Sequence, residues 1–373
     1  MIKKISFTLR QKMKSFLQNV ILPAVYFFFK SIYRKKPELI VFADAHHKEI
    51  PYSMQKIHSE LIKRGYEITD VFEDYSSMSF VGSSLCAVRF MKLYARASVV
   101  FICDNFLPVA SCRKRKETTV VQLWHSCGLL KKMGYDTTED IPAGYKGNVY
   151  RNYDLLTVSA PALEEVFAKA TKLDRSVVKA LGVSRSDIFF DEEWHRKCVS
   201  DFYNQYPEAK DKKVILWAPT FRGNAHNPYL EGADAVKALE KSLGDGYLVI
   251  TKVHPHMEAK YSLSSCPIPT ERLLPVTDLL ITDYSSVFFD FLFFAKPSVL
   301  FAPDLTEYEN KRGFYVDYSS LCPHIVTDGE MLSEAVLSAI NGIDASHIER
   351  LKAYHISGCD GGSTERIIKA AGL

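Results

Sequence analysis

Apolar residues in this chain gather into short unbroken runs and seldom alternate with polar ones. Such runs occupy 38–43, 97–102, 119–124, 153–159, 279–282 and 298–301, and they open the strand-plus-turn stretches 213–222 and 247–256. A short run that is apolar on both faces predicts a strand buried on both sides, as in parallel sheets covered by helices. Between the first two runs, residues 52–64 carry helical spacing and stop at Gly65. Strands alternating with helical stretches predict an α/β chain with parallel sheets.

The pattern is densest at 279–301. Leu279-Leu280-Ile281-Thr282 ends in Asp283-Tyr284-Ser285-Ser286, and the apolar run 287–294 follows at once. This predicts a buried strand, a tight connection and a helix whose first turn carries two serines. Lys296-Pro297 ends the helix, and 298–301 is the next parallel strand, giving a βαβ unit. In open α/β sheets, ligands sit beyond the strand carboxyl ends, where helix N-termini offer free N–H groups and partial positive charge. Ser285 and Ser286 there suit a phosphate. Asp283 or Ser285 equally serves as a helix cap.

A length of 373 residues predicts two domains, and 47% apolar with 24% charged residues excludes a disordered chain. The net charge of +3 hides an asymmetry. Residues 1–36 hold nine Lys/Arg and no acidic residue, so the remainder has a balance of −6. The predicted organisation is a basic, aromatic membrane-associating segment at 1–36, an N-terminal domain at 37–185 and a C-terminal domain at 186–373. The apolar run 20–29 is about half the roughly 20 residues that span a bilayer, and it contains Pro23. The expectation is therefore a peripheral anchor at the cytoplasmic face of the membrane and not a spanning helix. Five aromatic residues (Tyr26, Phe27, Phe28, Phe29 and Tyr33) favour a lipid surface over nucleic acid as the partner of this basic arm. Eight cysteines without a C-x-x-C pair argue against a zinc site and for a reducing compartment.

Candidate chemistry lies at the strand ends. His125 follows the run 119–124 and precedes a turn containing Gly128. Histidine is the side chain best suited to take a proton near neutral pH, although a lone histidine here equally bonds the loop backbone. Arg185, in the crossing stretch 181–187, reads as a phosphate contact or a loop arginine. Lys252 with His254 resembles an anion-contacting pair. His254 and His256 lack further ligands for a metal. Arg312 beside Gly313 can fork onto a diphosphate or cap a turn. The sequence has no P-loop, no G-x-G-x-x-G, no D-x-D and no G-x-S-x-G.

Taken in order, several short motifs resemble one family. They are Gln122-Leu123-Trp124-His125, Gly128 with Lys131 and Gly134, Ser184-Arg185-Ser186-Asp187 and Trp217-Ala218-Pro219-Thr220-Phe221-Arg222. Lys252-Val253-His254-Pro255-His256, Leu280-Ile281-Thr282-Asp283-Tyr284-Ser285-Ser286, Arg312-Gly313-Phe314-Tyr315 and Asp360-Gly361 complete the set. Together they resemble the CDP-glycerol glycerophosphotransferases, membrane-associated enzymes that build teichoic acids and related polymers. The likeness runs from about residue 97 onward. It departs from the family's frequent Trp-His-Gly at Ser126 and Cys127. The chain's length leaves no room for the extra N-terminal domain of longer polymerases, so the shorter, primase-like members are the nearer match.

The resemblance implies a GT-B type fold, two Rossmann-like domains facing a cleft. It implies transfer of glycerol phosphate from CDP-glycerol to a hydroxyl of a lipid-linked saccharide or polymer acceptor, with CMP released and no cofactor or metal. His125 is then the base and His254 the second catalytic group. Ser126, Gly128, Arg185, Pro219, Thr220, Lys252, Ser285, Ser286 and Arg312 contact substrate or shape its site. CDP-ribitol as donor, an inverting nucleotide-sugar glycosyltransferase and a non-catalytic membrane-bound assembly partner are the alternatives.

Overall fold

The unbroken apolar runs become parallel strands with both faces covered. The computed structural model describes residues 12–141, 143, 145, 148–224, 227–253 and 255–373. The first sheet has six strands, β1 (Ile40–Asp44), β2 (Ile68–Phe72), β3 (Val99–Ile102), β4 (Thr119–Gln122), β5 (Leu155–Thr157) and β6 (Val178–Lys179). They lie in the order β2-β1-β3-β4-β5-β6, all parallel. All five residues of β1 and all four of β3 are buried, which is why neither alternates.

The second sheet contains β7 (Lys213–Trp217), β10 (Tyr247–Thr251), β11 (Leu279–Thr282), β12 (Ser298–Phe301) and β13 (Ile325–Val326). Its order is β10-β7-β11-β12-β13, again parallel. A hairpin of β8 (Arg222–Asn224) and β9 (Asn227–Tyr229) leaves the end of β7. Alternate residues of these strands feed two separate cores. Ile215, Trp217, Ile281 and Val299 belong to one, and Val214, Leu216 and Leu280 to the other. Strands β2, β6 and β13 and the β8–β9 hairpin do not stand out as apolar runs. They are short or carry polar residues, and β2 is only partly buried.

The chain divides into two compact units. The first holds residues 1–125, 143–187 and 358–373, and the second holds 126–142 and 188–357. The division falls at Asp187, and two segments lie on the other side of it from their chain neighbours. The helix Ser363–Ala370 belongs to the first unit because its free N-terminal amides need an acceptor, and Asp187 supplies one. Asp187 Oδ1 accepts from Ser363 N–H at 3.0 Å and Oδ2 from Thr364 N–H at 2.7 Å. The expected C-terminal domain of 186–373 is thus corrected at its end. Likewise, residues 126–142 leave the first sheet and pack in the second unit.

The basic arm also differs from expectation. Residues Lys12–Ile32 form one 21-residue helix of mean hydropathy 1.3, long and apolar enough by length and composition to cross a membrane. Pro23 does not end it. The helix winds as a π-turn over Leu17–Ile21, and proline sits in the first turn of the following α-helical segment Leu22–Ile32. Gln18, Leu22 and Tyr26, spaced by four, face inward, and Tyr26 packs on Tyr94 with ring centroids 5.2 Å apart. Arg115 ties the helix down. Its N–H donates to Tyr26 Oη at 2.8 Å, and its guanidinium reaches the Lys30 and Tyr33 carbonyls at 2.6 Å each. The opposite face exposes Phe16, Val20, Phe27, Phe28 and Ile32.

Candidate active site residues in the two units

In the first unit the carboxyl ends of β3 and β4 hold an aspartate and a histidine. The backbone turns sharply after β4, with Trp124 at φ 58°, a conformation costly for a bulky residue and kept where the surroundings enforce it. Trp124 N–H donates to Gln122 Oε1 at 3.0 Å, Gln122 Nε2 to the Asp104 carbonyl at 3.0 Å, and Thr157 Oγ1 to the Leu123 carbonyl at 2.8 Å. The Trp124 indole is buried edge-on against Phe167 at 5.0 Å and stacks on the His125 ring at 5.1 Å. This frame presents His125, 48% exposed, with Nδ1 4.0 Å from Asp104 Oδ2. An imidazole beside a carboxylate at a strand end is placed to accept a proton and to hold it as an imidazolium.

Arg185 is a buried arginine and not the exposed loop residue of the alternative reading. Its guanidinium lies 5.3 Å from the centroid of the Tyr52 ring, and Tyr52 Oη donates to the Arg185 carbonyl at 3.3 Å.

In the second unit, the ends of β7 and β11 abut. Thr282 Oγ1 donates to the Ala218 carbonyl at 2.7 Å, and Thr220 N–H to Asp283 Oδ1 at 2.9 Å. Pro219 and Thr220 are therefore held against Asp283, and Thr220 Oγ1 is buried with no partner among the described residues. Beneath them lies Arg222, buried between two carboxylates. Its Nη1 is 2.9 Å from Asp283 Oδ2, Nε donates to Asp304 Oδ2 at 2.7 Å, and Nη2 to Asp304 Oδ1 at 2.9 Å. Burial opposes the charge on Arg222, but the two carboxylates outweigh it and raise the pKa. Burial likewise opposes the Asp304 anion, and Arg222 outweighs it, leaving that carboxyl below its usual range. Tyr284 stacks on Tyr308 at 3.8 Å, and the guanidinium lies over both rings.

The serines follow directly. Ser285 Oγ accepts from Val287 N–H at 3.3 Å, and Ser286 caps the helix by position without a side-chain bond. The predicted helix of 287–294 is only Val287–Phe291 with a 3₁₀ turn over Leu292–Phe294, ended by Ala295 in the left-handed region. So short a helix has little dipole to offer, and the anion-binding case must rest on side chains.

Those side chains come from residues 126–142. The stretch after Ser126 runs antiparallel to Arg312–Tyr315. Lys131 bridges Phe314, Lys132 N–H donates to the Gly313 carbonyl at 3.0 Å, and Tyr315 N–H to the Leu130 carbonyl at 2.8 Å. Lys131 is mostly buried and has no ion pair among the described residues. Burial first, and then the nearby Arg312, push its pKa down. Sequence reasoning placed Lys131 in a motif without giving it a role. A lysine three residues after a turn glycine was the available signal.

Two predicted contacts are otherwise engaged. Arg312 pairs with Asp140 at 2.9 Å and Glu139 at 3.1 Å, and its Nε is buried without a partner among the described residues. Lys252 Nζ donates to the Cys266 carbonyl at 2.7 Å, so its ammonium is committed to the backbone. His254 lies outside the described residues.

Gly128 adopts φ +72°, and a Cβ there would lie 2.2 Å from the Phe289 ring, so only glycine fits. The next residue leans on a buried histidine. Leu129 N–H donates to His355 Nδ1 at 3.3 Å, and the His355 ring packs 4.5 Å from Phe289. Burial pushes the His355 pKa down to about 4. The unfolded chain takes up this proton near pH 6.5 and the folded one only near 4, so folding loses stability as pH falls between those values. The expected loss is about 3 kcal/mol in all. His355→Asn keeps an acceptor for Leu129, and a denaturant series from pH 7 to pH 4 should show a flatter slope for it. Identical slopes would remove His355 as the cause.

The first unit thus holds an imidazole beside a carboxylate, and the second holds the buried Thr220 hydroxyl and Lys131, with Arg222 paired to Asp283 and Asp304 and Arg312 to Asp140 and Glu139. Both are held at the ends of parallel strands. The whole chain superposes on the wall teichoic acid polymerase TagF with a TM-score of 0.76 at 21% identity, covering 100% of this chain and 98% of that one. The fold is therefore of the GT-B type. Among curated proteins, the chain is 32% identical over 302 residues to the teichoic acid ribitol-phosphate primase of Bacillus spizizenii, covering 74% of this chain and 76% of that protein. It is 33% identical over 265 residues to the teichoic acid glycerol-phosphate primase of Bacillus subtilis, covering 65% and 66%. The pattern defining the CDP-Glycerol:Poly(glycerophosphate) glycerophosphotransferase family matches residues 25–371. Nearly the whole chain is thereby accounted for, and it belongs to that family as a teichoic acid glycerol- or ribitol-phosphate transferase.

Proposed function

We propose that the chain transfers glycerol phosphate from CDP-glycerol to a hydroxyl of a lipid-linked saccharide or polymer acceptor and releases CMP. The observation that carries the donor side is Lys131, a mostly buried cation with no ion pair among the described residues, near Arg312 and Arg222. The carboxylates that act on it, Asp283 and Asp140, are already paired with those arginines, and a diphosphate would neutralise the remaining positive charge. The Thr220 hydroxyl supplies a further donor, and Ser285 and Ser286 stand at the adjoining strand end. On the acceptor side, His125 takes the hydroxyl proton as the new O–P bond forms. The P–O bond to CMP breaks, and the bound cations stabilise the charge that grows on the leaving phosphate. Arg185 and Ser126 are assigned to substrate contact in this reading, and His254 to the second catalytic role given by the family likeness.

A variant of TagF has been solved after soaking with CDPG, which supports a CDP-linked polyol as donor. CDP-ribitol is the second reading, favoured because the match to the ribitol-phosphate primase extends over more of this chain than the match to the glycerol-phosphate primase. The proposed location is the cytoplasmic face of the membrane. The helix Lys12–Ile32 supports peripheral attachment because one face is bonded to the protein body while the other exposes Phe27 and Phe28.

Calorimetric titration with each CDP-polyol separates the donors. Saturable binding of CDP-glycerol, weakened roughly tenfold or more by Lys131→Met through loss of a charge-assisted contact, is the expected result. Binding of CDP-ribitol alone would shift the assignment to ribitol. Binding of neither by folded protein would contradict the proposal.

A further inference from the structure

The rim of the first sheet carries a second histidine–carboxylate pair outside the machinery described above. Asp44 ends β1 with its carboxylate 1% exposed. Its Oδ2 accepts from His46 N–H at 2.7 Å, His47 N–H at 2.9 Å and the His47 ring at Nδ1, 2.8 Å. The Cys103 thiol donates to Oδ1 at 3.9 Å. Cys103 also feels the charges of Asp104 and Arg185, so these groups share one end of the sheet.

The two backbone bonds would suffice to fix the turn. The bond to the ring does something more. It fixes the tautomer with the proton on Nδ1 and leaves Nε2, on the far side of the ring, as a hydrogen-bond acceptor. The His47 side chain is 56% exposed. The pair thus holds a lone pair at a set position on an accessible rim, at the expense of a buried carboxylate.

Its distance from the candidate base follows from register. Phe42 pairs with Phe101, and Ile102 with Gln122, so Asp44 lies level with Cys103 two residues beyond the first pair, and Cys103 with Leu123 one residue beyond the second. At about 4.8 Å per strand, the Asp44 and Leu123 positions are roughly 10 Å apart. His125 follows Leu123 by two residues. The two pairs therefore stand at the carboxyl ends of strands two apart, along the same edge of the sheet.

We propose that His47, oriented by Asp44, is an acceptor-specificity residue that accepts a hydrogen bond from a sugar or polyol hydroxyl of the acceptor away from the reacting oxygen. This rests on the reading of the first unit as the acceptor side. His47→Ala removes the ring and leaves both backbone bonds to Asp44 in place, so the fold is retained. With a shortened-tail lipid-linked disaccharide as acceptor and the CDP-polyol that the wild-type protein turns over as donor, His47→Ala raises the acceptor KM roughly five- to tenfold, as fits one hydrogen bond. Its kcat and donor KM stay within about twofold, and His47→Gln recovers part of the loss. An unchanged acceptor KM, or a fall in kcat with KM constant, overturns the assignment. A wild-type protein that releases no CMP with any CDP-polyol overturns the underlying reading instead, and the inference with it.

Discussion

His125→Ala is expected to cost roughly 10²–10⁴-fold in turnover while leaving CDP-donor affinity unchanged. An alcohol is a poor nucleophile at neutral pH, so its proton must leave as the bond to phosphorus forms. Among the described first-unit groups, His125 is the imidazole fixed by a strained turn, stacked on Trp124 and set 4.0 Å from Asp104. Lys131, Thr220 and Arg222, proposed above to meet the donor, belong to the other compact unit. Removing the imidazole should therefore spare donor binding. Rapid-quench measurement of CMP formation with saturating donor, beside calorimetry, checks both halves. A folded His125→Ala protein that no longer binds donor would make His125 a ligand and not a base. Asp104→Asn should lose less, because the carboxylate orients and does not itself take the proton.

The second large effect is expected on stability. Arg222→Met should destabilise the second unit by about 3–5 kcal/mol, since it leaves the buried Asp283 and the partly buried Asp304 without their common cation. Arg222 is 6% exposed and meets both carboxylates. Arg222→Lys should recover only part of the loss. One ammonium cannot reproduce the fork to Asp304 together with the separate bond to Asp283. Urea unfolding gives the difference directly. Because Asp283 also anchors Thr220 N–H, donor affinity should weaken in the same variants. Unfolding midpoints equal to wild type for Arg222→Met would mean that the network is solvated and not structural.

Much of this was legible in the chain because buried parallel strands leave an unambiguous trace. β1, β3, β4, β7, β11 and β12 are apolar on both faces, and the polar residues that end them, from Asp104 and His125 to Thr220 and Asp283, stand out against that background. The edge strands left a weaker trace. β2 alternates partial burial with threonine and aspartate, and β6 and β13 have two residues each. Partners distant in sequence were illegible for a different reason. Nothing local announces that Asp187 caps a helix 176 residues away, that Arg222 meets Asp304, or that Arg312 is already paired with Glu139 and Asp140. The N-terminal helix runs through Pro23, which reads as a breaker in the sequence, with a π-turn directly before the proline-containing segment.

The central claim is that a polyol phosphate, and not a sugar, is the group transferred. The leaving group distinguishes the two. CDP-glycerol, CDP-ribitol and a nucleotide sugar are offered separately with a lipid-linked disaccharide, and the nucleotide product and the acceptor's new phosphorus are followed by ³¹P NMR. The account predicts CMP release from a CDP-polyol, with one new phosphodiester on the acceptor. Release of a nucleoside diphosphate from the nucleotide sugar, with no new phosphodiester, would contradict it.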